Sequence, residues 1–187
     1  MDDPLTQLEK SLQAAPGKRR NFDSPPLHLW NPPLSGDIPI RIAADGSWYH
    51  EGGKITRESL VSLFASILRR EEDGHYYLVT PGEKWRIDVE LHPLIVIDIG
   101  PTAQGSQPTL EATLNTGRKV IVNEQCPLSL EPAVGNIAVL GLPHGLSALF
   151  SRAAWYRLVE LAEESEQGPV IHSAGQVFSL TGSDKAE

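Results

Sequence analysis

The segment KWRIDVEL, residues 84 to 91, leaves the chain few choices, because apolar and charged side chains alternate through it without a break. Trp85, Ile87, Val89 and Leu91 fall on one side of an extended backbone, and Lys84, Arg86, Asp88 and Glu90 on the other. A strand buried on one face satisfies that spacing, so the chain must build a sheet and cover one side of it. HYYLVT reads as the partner strand. Pro81-Gly82 predicts a type II turn over Thr80 to Glu83, with Gly82 taking the positive φ. IPIRIAA and SWYHE read as two more strands around Asp45-Gly46, a dipeptide suited to a tight hairpin. The cover is RESLVSLFASILRREEDG, where Leu60, Leu63, Phe64, Ile67 and Leu68 share one helical face. Thr56 suits its N-cap, Glu58 its positive end and Gly74 its stop. The apolar run LIVIDI reads as a central strand of the same sheet.

The pattern then recurs. GPTAQGSQP, residues 100 to 108, has the composition of a linker or long loop. Strands are expected at LEATL, KVIVN and NIAVLGL, a second helix from about Leu146 to Glu164, and short strands at PVIH and QVFSL. The 187 residues fit one large domain or two small ones. The order of elements favours an α+β protein of two halves, 37–100 and 108–182, although no repeat shows residue by residue. Residues 1 to 36 read as an arm or linker with a short leucine stripe, Leu5, Leu8 and Leu12, and with Trp30 pinning it to the body. SDKAE reads as a frayed tail.

Charge and cysteine usage exclude several function classes. Sixteen basic against 24 acidic residues give a net charge of −8, without the basic footprint of a nucleic-acid binder. Lys18, Arg19 and Arg20 form one basic run, read as solvated. Cys126 is the only cysteine, so no intramolecular disulfide or multi-cysteine metal site exists. No signal-peptide core and no run of about 18 apolar residues is present, which predicts a cytoplasmic protein with no membrane span.

Three catalytic patterns fail on inspection. GSWYHEGGKIT places Gly-Gly-Lys before a helix, but Trp48 and Ile55 occupy the first-glycine and hydroxyl positions of a P-loop. Lys54 and Arg57 beside that helix start still suit an anion. GLSAL ends in Leu149 where a nucleophile elbow needs glycine, so Ser147 reads as a helix-start residue. The six histidines show no metal-ligand spacing, and neither metal nor cofactor is expected. On the second helix Arg157 reads as solvated, with Glu160 as a surface partner, and Arg152 as either a ligand contact or a salt bridge between the halves.

Residues 25 to 90 closely resemble the bacterial domain-of-unknown-function family 1285. The resemblance rests on the Trp-Asn-Pro-Pro segment, the Asp-Gly-x-Trp hairpin, the Leu-Phe-Ala helix and the Thr-Pro-x-Glu-Lys turn. Beyond residue 90 it thins to LNTGRKVIV and LPHGLSALFSRAAWYRLVELA, and VELHPL departs from the family's acidic-small-Pro-Phe segment. The resemblance implies a duplicated α+β core with a pleckstrin-homology-like second half, and a groove between the halves for an anionic, nucleotide-type ligand in a signalling role. The expected function is therefore non-catalytic ligand binding, with Trp48 or Tyr77 stacking a ring. Lys54, Arg57, Lys84 and Arg152 would meet phosphate, Thr80 and Asn115 would supply hydrogen bonds, and Glu83 would orient a donor. Alternatively, Glu83 and Lys84 only staple their turn. A protein adaptor using the second half is one rival, and an enzyme of unknown chemistry is another.

Overall fold

In a computed structural model that describes residues 4–13, 25–103 and 105–182, the alternating segment is a strand at the middle of a sheet. The first of two units, Met1–Leu91, contains β1 (Leu34–Ile42), β2 (Trp48–His50), β3 (Gly53–Lys54), β4 (Leu68–Arg70), β5 (Tyr76–Val79) and β6 (Lys84–Val89). Strands β1 to β3 form one antiparallel meander and β4 to β6 another. Parallel pairing of β1 with β6 joins them in the order β3-β2-β1-β6-β5-β4.

The second unit, His92–Glu187, repeats that arrangement. Its strands are β7 (Leu94–Thr102), β8 (Thr109–Leu114), β9 (Lys119–Ile121), β10 (Leu128–Glu131), β11 (Ile137–Gly141) and β12 (Ser147–Phe150). Again two meanders are joined by parallel pairing of their first and last strands, β7 and β12, in the order β10-β11-β12-β7-β8-β9. The duplication hidden at the level of residues is thus plain in the topology. A third sheet, β13 (Glu163–Ser165), β14 (Gly168–Ser173) and β15 (Gln176–Ser179), completes the unit. Buried Ser173 ties it to the second sheet by donating to the Val122 carbonyl at 2.6 Å and accepting from the Leu110 N–H at 2.9 Å.

The units part between Leu91 and His92, ahead of the 100–108 segment, because LIVIDI joins the second sheet as β7 and runs on through Thr102. Both predicted helices are shorter than expected. The first, α2, spans Glu58–Ser66, with Arg57 and not Thr56 at its N-cap. Pairing of Leu68 with Leu78 draws the following residues into β4, so tertiary pairing overrides local helical spacing. In the second, the apolar residues Ala148, Leu149 and Phe150 are buried in consecutive positions of β12. A strand covered on both faces gives a continuous apolar run, which helical periodicity cannot be told from over so short a stretch. The helix itself, α3 (Arg152–Glu160), begins after Ser151, whose Oγ accepts the Ala154 N–H at 3.2 Å. Ser151→Ala should therefore lower stability by about 0.5–2 kcal/mol, read as a drop in urea midpoint at constant slope.

Two further expectations change. Gly82 is not among the positive-φ residues, so Thr80 to Glu83 is not a type II turn. The Glu83 N–H goes to Thr80 Oγ1 (3.1 Å) and the Thr80 N–H to the Glu83 carbonyl (2.9 Å), a side-chain closure that needs no left-handed residue. The leucine stripe is a helix, α1 (Pro4–Gln13), but not one detached from the core. Leu8 and Leu12 are buried, and Glu9 forms an ion pair with Arg57. The Lys18–Arg20 run and residues 183–187 lie outside the described residues. The Asp45-Gly46 turn forms as expected, with Gly46 at φ 82° and the Asp45 carboxylate accepting the Ser47 N–H.

Candidate functional site

The polar face of the first sheet carries a ladder that follows from strand register. Arg69 on β4 lies opposite Tyr77 on β5, Tyr77 opposite Arg86 on β6, and Arg86 opposite Asp37 on β1. Residues directly opposite one another point to the same face, so these long polar side chains must interact or repel. Here each is matched. Arg86 grips Asp37 with Nε and Nη2, both at 2.8 Å, and this fork holds the Asp37 carboxyl below its usual range. Tyr77 donates its hydroxyl to Asp73 Oδ2 at 2.6 Å, while Asp73 Oδ1 accepts the His75 N–H. That hydroxyl bond, more than burial, pushes the Tyr77 phenol up to about 12 and lowers Asp73. Tyr77 is thus a fixed donor.

Glu71 closes the ladder at its other end. It accepts from Arg69 Nη2 at 2.6 Å and from Lys84 Nζ at 3.0 and 3.2 Å. Burial alone would raise the Glu71 carboxyl, but these two cations outweigh it and hold it below its usual range. The Lys84 ammonium also sits 4.9 Å from the Tyr77 ring centroid, and Arg69 Nη1 holds the Leu27 and Trp30 carbonyls at 2.9 and 2.8 Å. The turn lysine is therefore committed to the sheet.

Beside the ladder lies a cleft of about 320 Å³ lined by Asp37, Ile38, His75, Arg86, Ile87 and Asp88. Its polar groups differ in how far they are committed. Arg86 Nη1 stays outside the fork with Asp37, and among the described residues the Asp88 carboxylate has no hydrogen-bond or ion-pair partner. The cleft thus offers a guanidinium edge, an imidazole and a carboxylate on one wall.

The residues expected to bind ligand are not gathered there. Trp48 is 1% exposed, its ring 6.2 Å from that of Phe64, so it belongs to the core and cannot stack on a ligand. Thr80 is buried at its turn and Tyr77 is 4% exposed, whereas Lys54 and Arg57 are exposed around the start of α2. Glu83 is half-buried at the turn. Asn115 and Arg152 belong to the second unit. Asn115 Oδ1 accepts the Ile95 N–H at 3.1 Å, and Arg152 lies over the Tyr156 ring. Arg157 pairs with Asp98 and not with Glu160. Cys126 is buried, and that burial pushes its thiol up. No three His, Cys, Asp or Glu side chains among the described residues group to hold a metal ion. No helix among them is long and apolar enough to cross a membrane.

Residues 25–91 match the family model described as the N-terminal domain of DUF1285, a domain of unknown function, and residues 93–180 match its C-terminal domain. The crystal structure of a DUF1285 family protein from Silicibacter pomeroyi DSS-3 superposes with a TM-score of 0.79 at 37% identity, over 95% of this chain and 94% of that one. A second, from Shewanella baltica OS155, gives 0.56 at 29% identity over 66% and 91%. No curated protein matches the chain.

Proposed function

The chain belongs to the DUF1285 family, and from that premise we propose that its first unit is a binding module that holds a small polar molecule in the Asp37, His75, Arg86 and Asp88 cleft without transforming it. The observation that carries this reading is the unspent hydrogen-bonding capacity of Arg86 Nη1 and the Asp88 carboxylate on the wall of one cleft. Its volume of about 320 Å³ lies at the small end of ligand sites. An anionic group suits Arg86 and His75, and N–H donors suit Asp88, so a nucleoside monophosphate fits the chemistry. A triphosphate fits poorly, because two aspartates share the wall with one arginine. The surrounding groups hold shape and are poor proton carriers: Tyr77 is locked on Asp73 with its phenol at about 12.

A ligand present at roughly 100 times its dissociation constant stabilises the folded state by about 2.7 kcal/mol. For a chain of this size the melting midpoint should rise by about 5–11 °C. Nucleoside monophosphates and amino acids form the test panel, with Asp88→Asn and Arg86→Met each compared with its own ligand-free midpoint. No shift across the panel at millimolar concentration, or a shift that both variants retain, would sink the reading.

A protein-docking role is the second reading. Tyr156 and Val159, one turn apart on α3, are 54% and 45% exposed, a small apolar strip on the second unit.

A further inference from the structure

Three polar side chains far apart in the sequence meet in the second unit. His92 places Nδ1 2.7 Å from Ser147 Oγ and Nε2 2.9 Å from Glu131 Oε2. Strand pairing explains the first contact. β7 and β12 are parallel neighbours with Leu94 beside Ala148, so His92 and Ser147 lie at the same ends of adjacent strands. The second contact is fixed by a turn. Glu131 ends β10 and caps the 3-10 turn Pro132–Val134, its Oε1 accepting the Ala133 N–H at 3.1 Å and leaving Oε2 for the imidazole.

The arrangement selects one tautomer of His92. The Ala133 N–H first and the His92 bond second hold the Glu131 carboxyl below its usual range, so it is an ionised acceptor near neutral pH. A carboxylate can only accept, which puts the hydrogen of a neutral imidazole on Nε2 and its lone pair on Nδ1, facing the Ser147 hydroxyl. Serine, imidazole and carboxylate then stand in the donor order of a nucleophile, a base and an orienting group. The side chains of His92 and Glu131 are 12% and 23% exposed, sheltered but not sealed from solvent.

We propose that Ser147 is a nucleophile activated by His92 for acyl transfer from small carboxylic esters. Ser147 Oγ attacks the ester carbonyl carbon and its proton passes to His92 Nδ1. The ester C–O bond breaks, and the leaving alkoxide takes that proton. Water then gives a proton to Nδ1 as its oxygen attacks the acyl-serine, and the proton returns to Ser147 Oγ when the carboxylic acid leaves. Glu131 is a positioning residue that fixes the ring and its tautomer.

Leu149, which breaks the elbow pattern, is no objection. The elbow's glycines serve a sharp strand-to-helix turn, whereas Ser147 opens a strand after a turn in which His144 and Gly145 are left-handed, at φ 62° and 70°. The proposal goes beyond the binding reading of the first unit and does not rest on it.

The test treats the intact chain with a fluorophosphonate probe at neutral pH and follows its mass. One adduct per chain is expected, on Ser147, absent in Ser147→Ala and formed about 100-fold or more slowly in His92→Gln. Glu131→Gln should slow labelling even where the chain remains fully folded at the assay temperature, and Glu131→Asp should restore part of the rate. No adduct on wild type, an adduct that persists in Ser147→Ala, or labelling of His92→Gln at the wild-type rate overturns the proposal. Should His92→Gln fail to fold, p-nitrophenyl acetate decides on the wild-type chain. A burst of one equivalent of p-nitrophenolate, or steady release, that Ser147→Ala lacks supports the nucleophile, and release no faster than that of Ser147→Ala overturns it.

Discussion

The Trp48→Ala chain is expected to melt far below the wild type. The indole lies on β2 at 1% exposure, tilted 33° against the ring of Phe64 from α2, and it joins the sheet to its helical cover. Truncating a buried tryptophan to alanine removes its transfer free energy and leaves a cavity, at about 3–5 kcal/mol. At roughly 2–4 °C for each kcal/mol, the midpoint should fall by about 6–20 °C. Trp48→Phe keeps most of the volume and should lose less. The measurement also separates two roles for the residue. A ring presented to a ligand would leave the ligand-free midpoint almost unchanged, so a loss under about 1 kcal/mol would place Trp48 outside the core.

Glu71→Gln is expected to have the next largest effect, about 3 kcal/mol by urea denaturation. Arg69 and Lys84 share this one carboxylate, and their side chains are only 14% and 16% exposed. Removing the carboxylate leaves two cations with reduced access to water, the asymmetry that makes breaking a buried pair costlier than never forming it. The value sits at the low end for buried pairs, because some solvent screening remains. Lys84→Met should lose less, since Glu71 keeps Arg69 and the methionine still covers Tyr77. The double variant should recover part of the Glu71→Gln loss, as expected of groups in one network. A Glu71→Gln midpoint equal to that of wild type would show that solvent screens the pair completely.

Periodicity made the first sheet legible. The alternation through Lys84–Val89 gave the strand, and Ile38, Ile40 and Ile42 are buried at alternate positions of β1 as its pattern requires. The two helices are shorter than their spacing predicts for one reason. Leu68 and the Ala148–Phe150 run are apolar because they pair inside sheets, and local spacing does not distinguish that from a helix face. The candidate site was legible only in part. Arg86 and Asp88 stood on the polar face of the alternating strand, but the partners that define the cleft, Asp37 and His75, come from strand register, which one sequence does not print. Ser147 showed only as a failed elbow in GLSAL, and His92 and Glu131 carried no signal, because separations of 55 and 39 residues match no motif.

The parallel pairing at the middle of both sheets also sets the order in which the chain can fold. Each meander closes over short turns, but β1 finds β6 only across a separation of about 49 residues, and β7 finds β12 across about 55. Closing loops of that length costs about 3–4 kcal/mol of chain entropy beyond a constant, and it must be met before the shared core compensates. Each unit should therefore collapse as two separate hairpin sheets and wait for its first and last strands to meet, a late, rate-limiting zipping step in the manner of high contact order proteins. During that wait β1 and β6 expose unpaired edges. A chain emerging from the ribosome cannot bury the edge of β1 until β6 has been made, so the interval of greatest exposure to aggregation is written into the strand order itself.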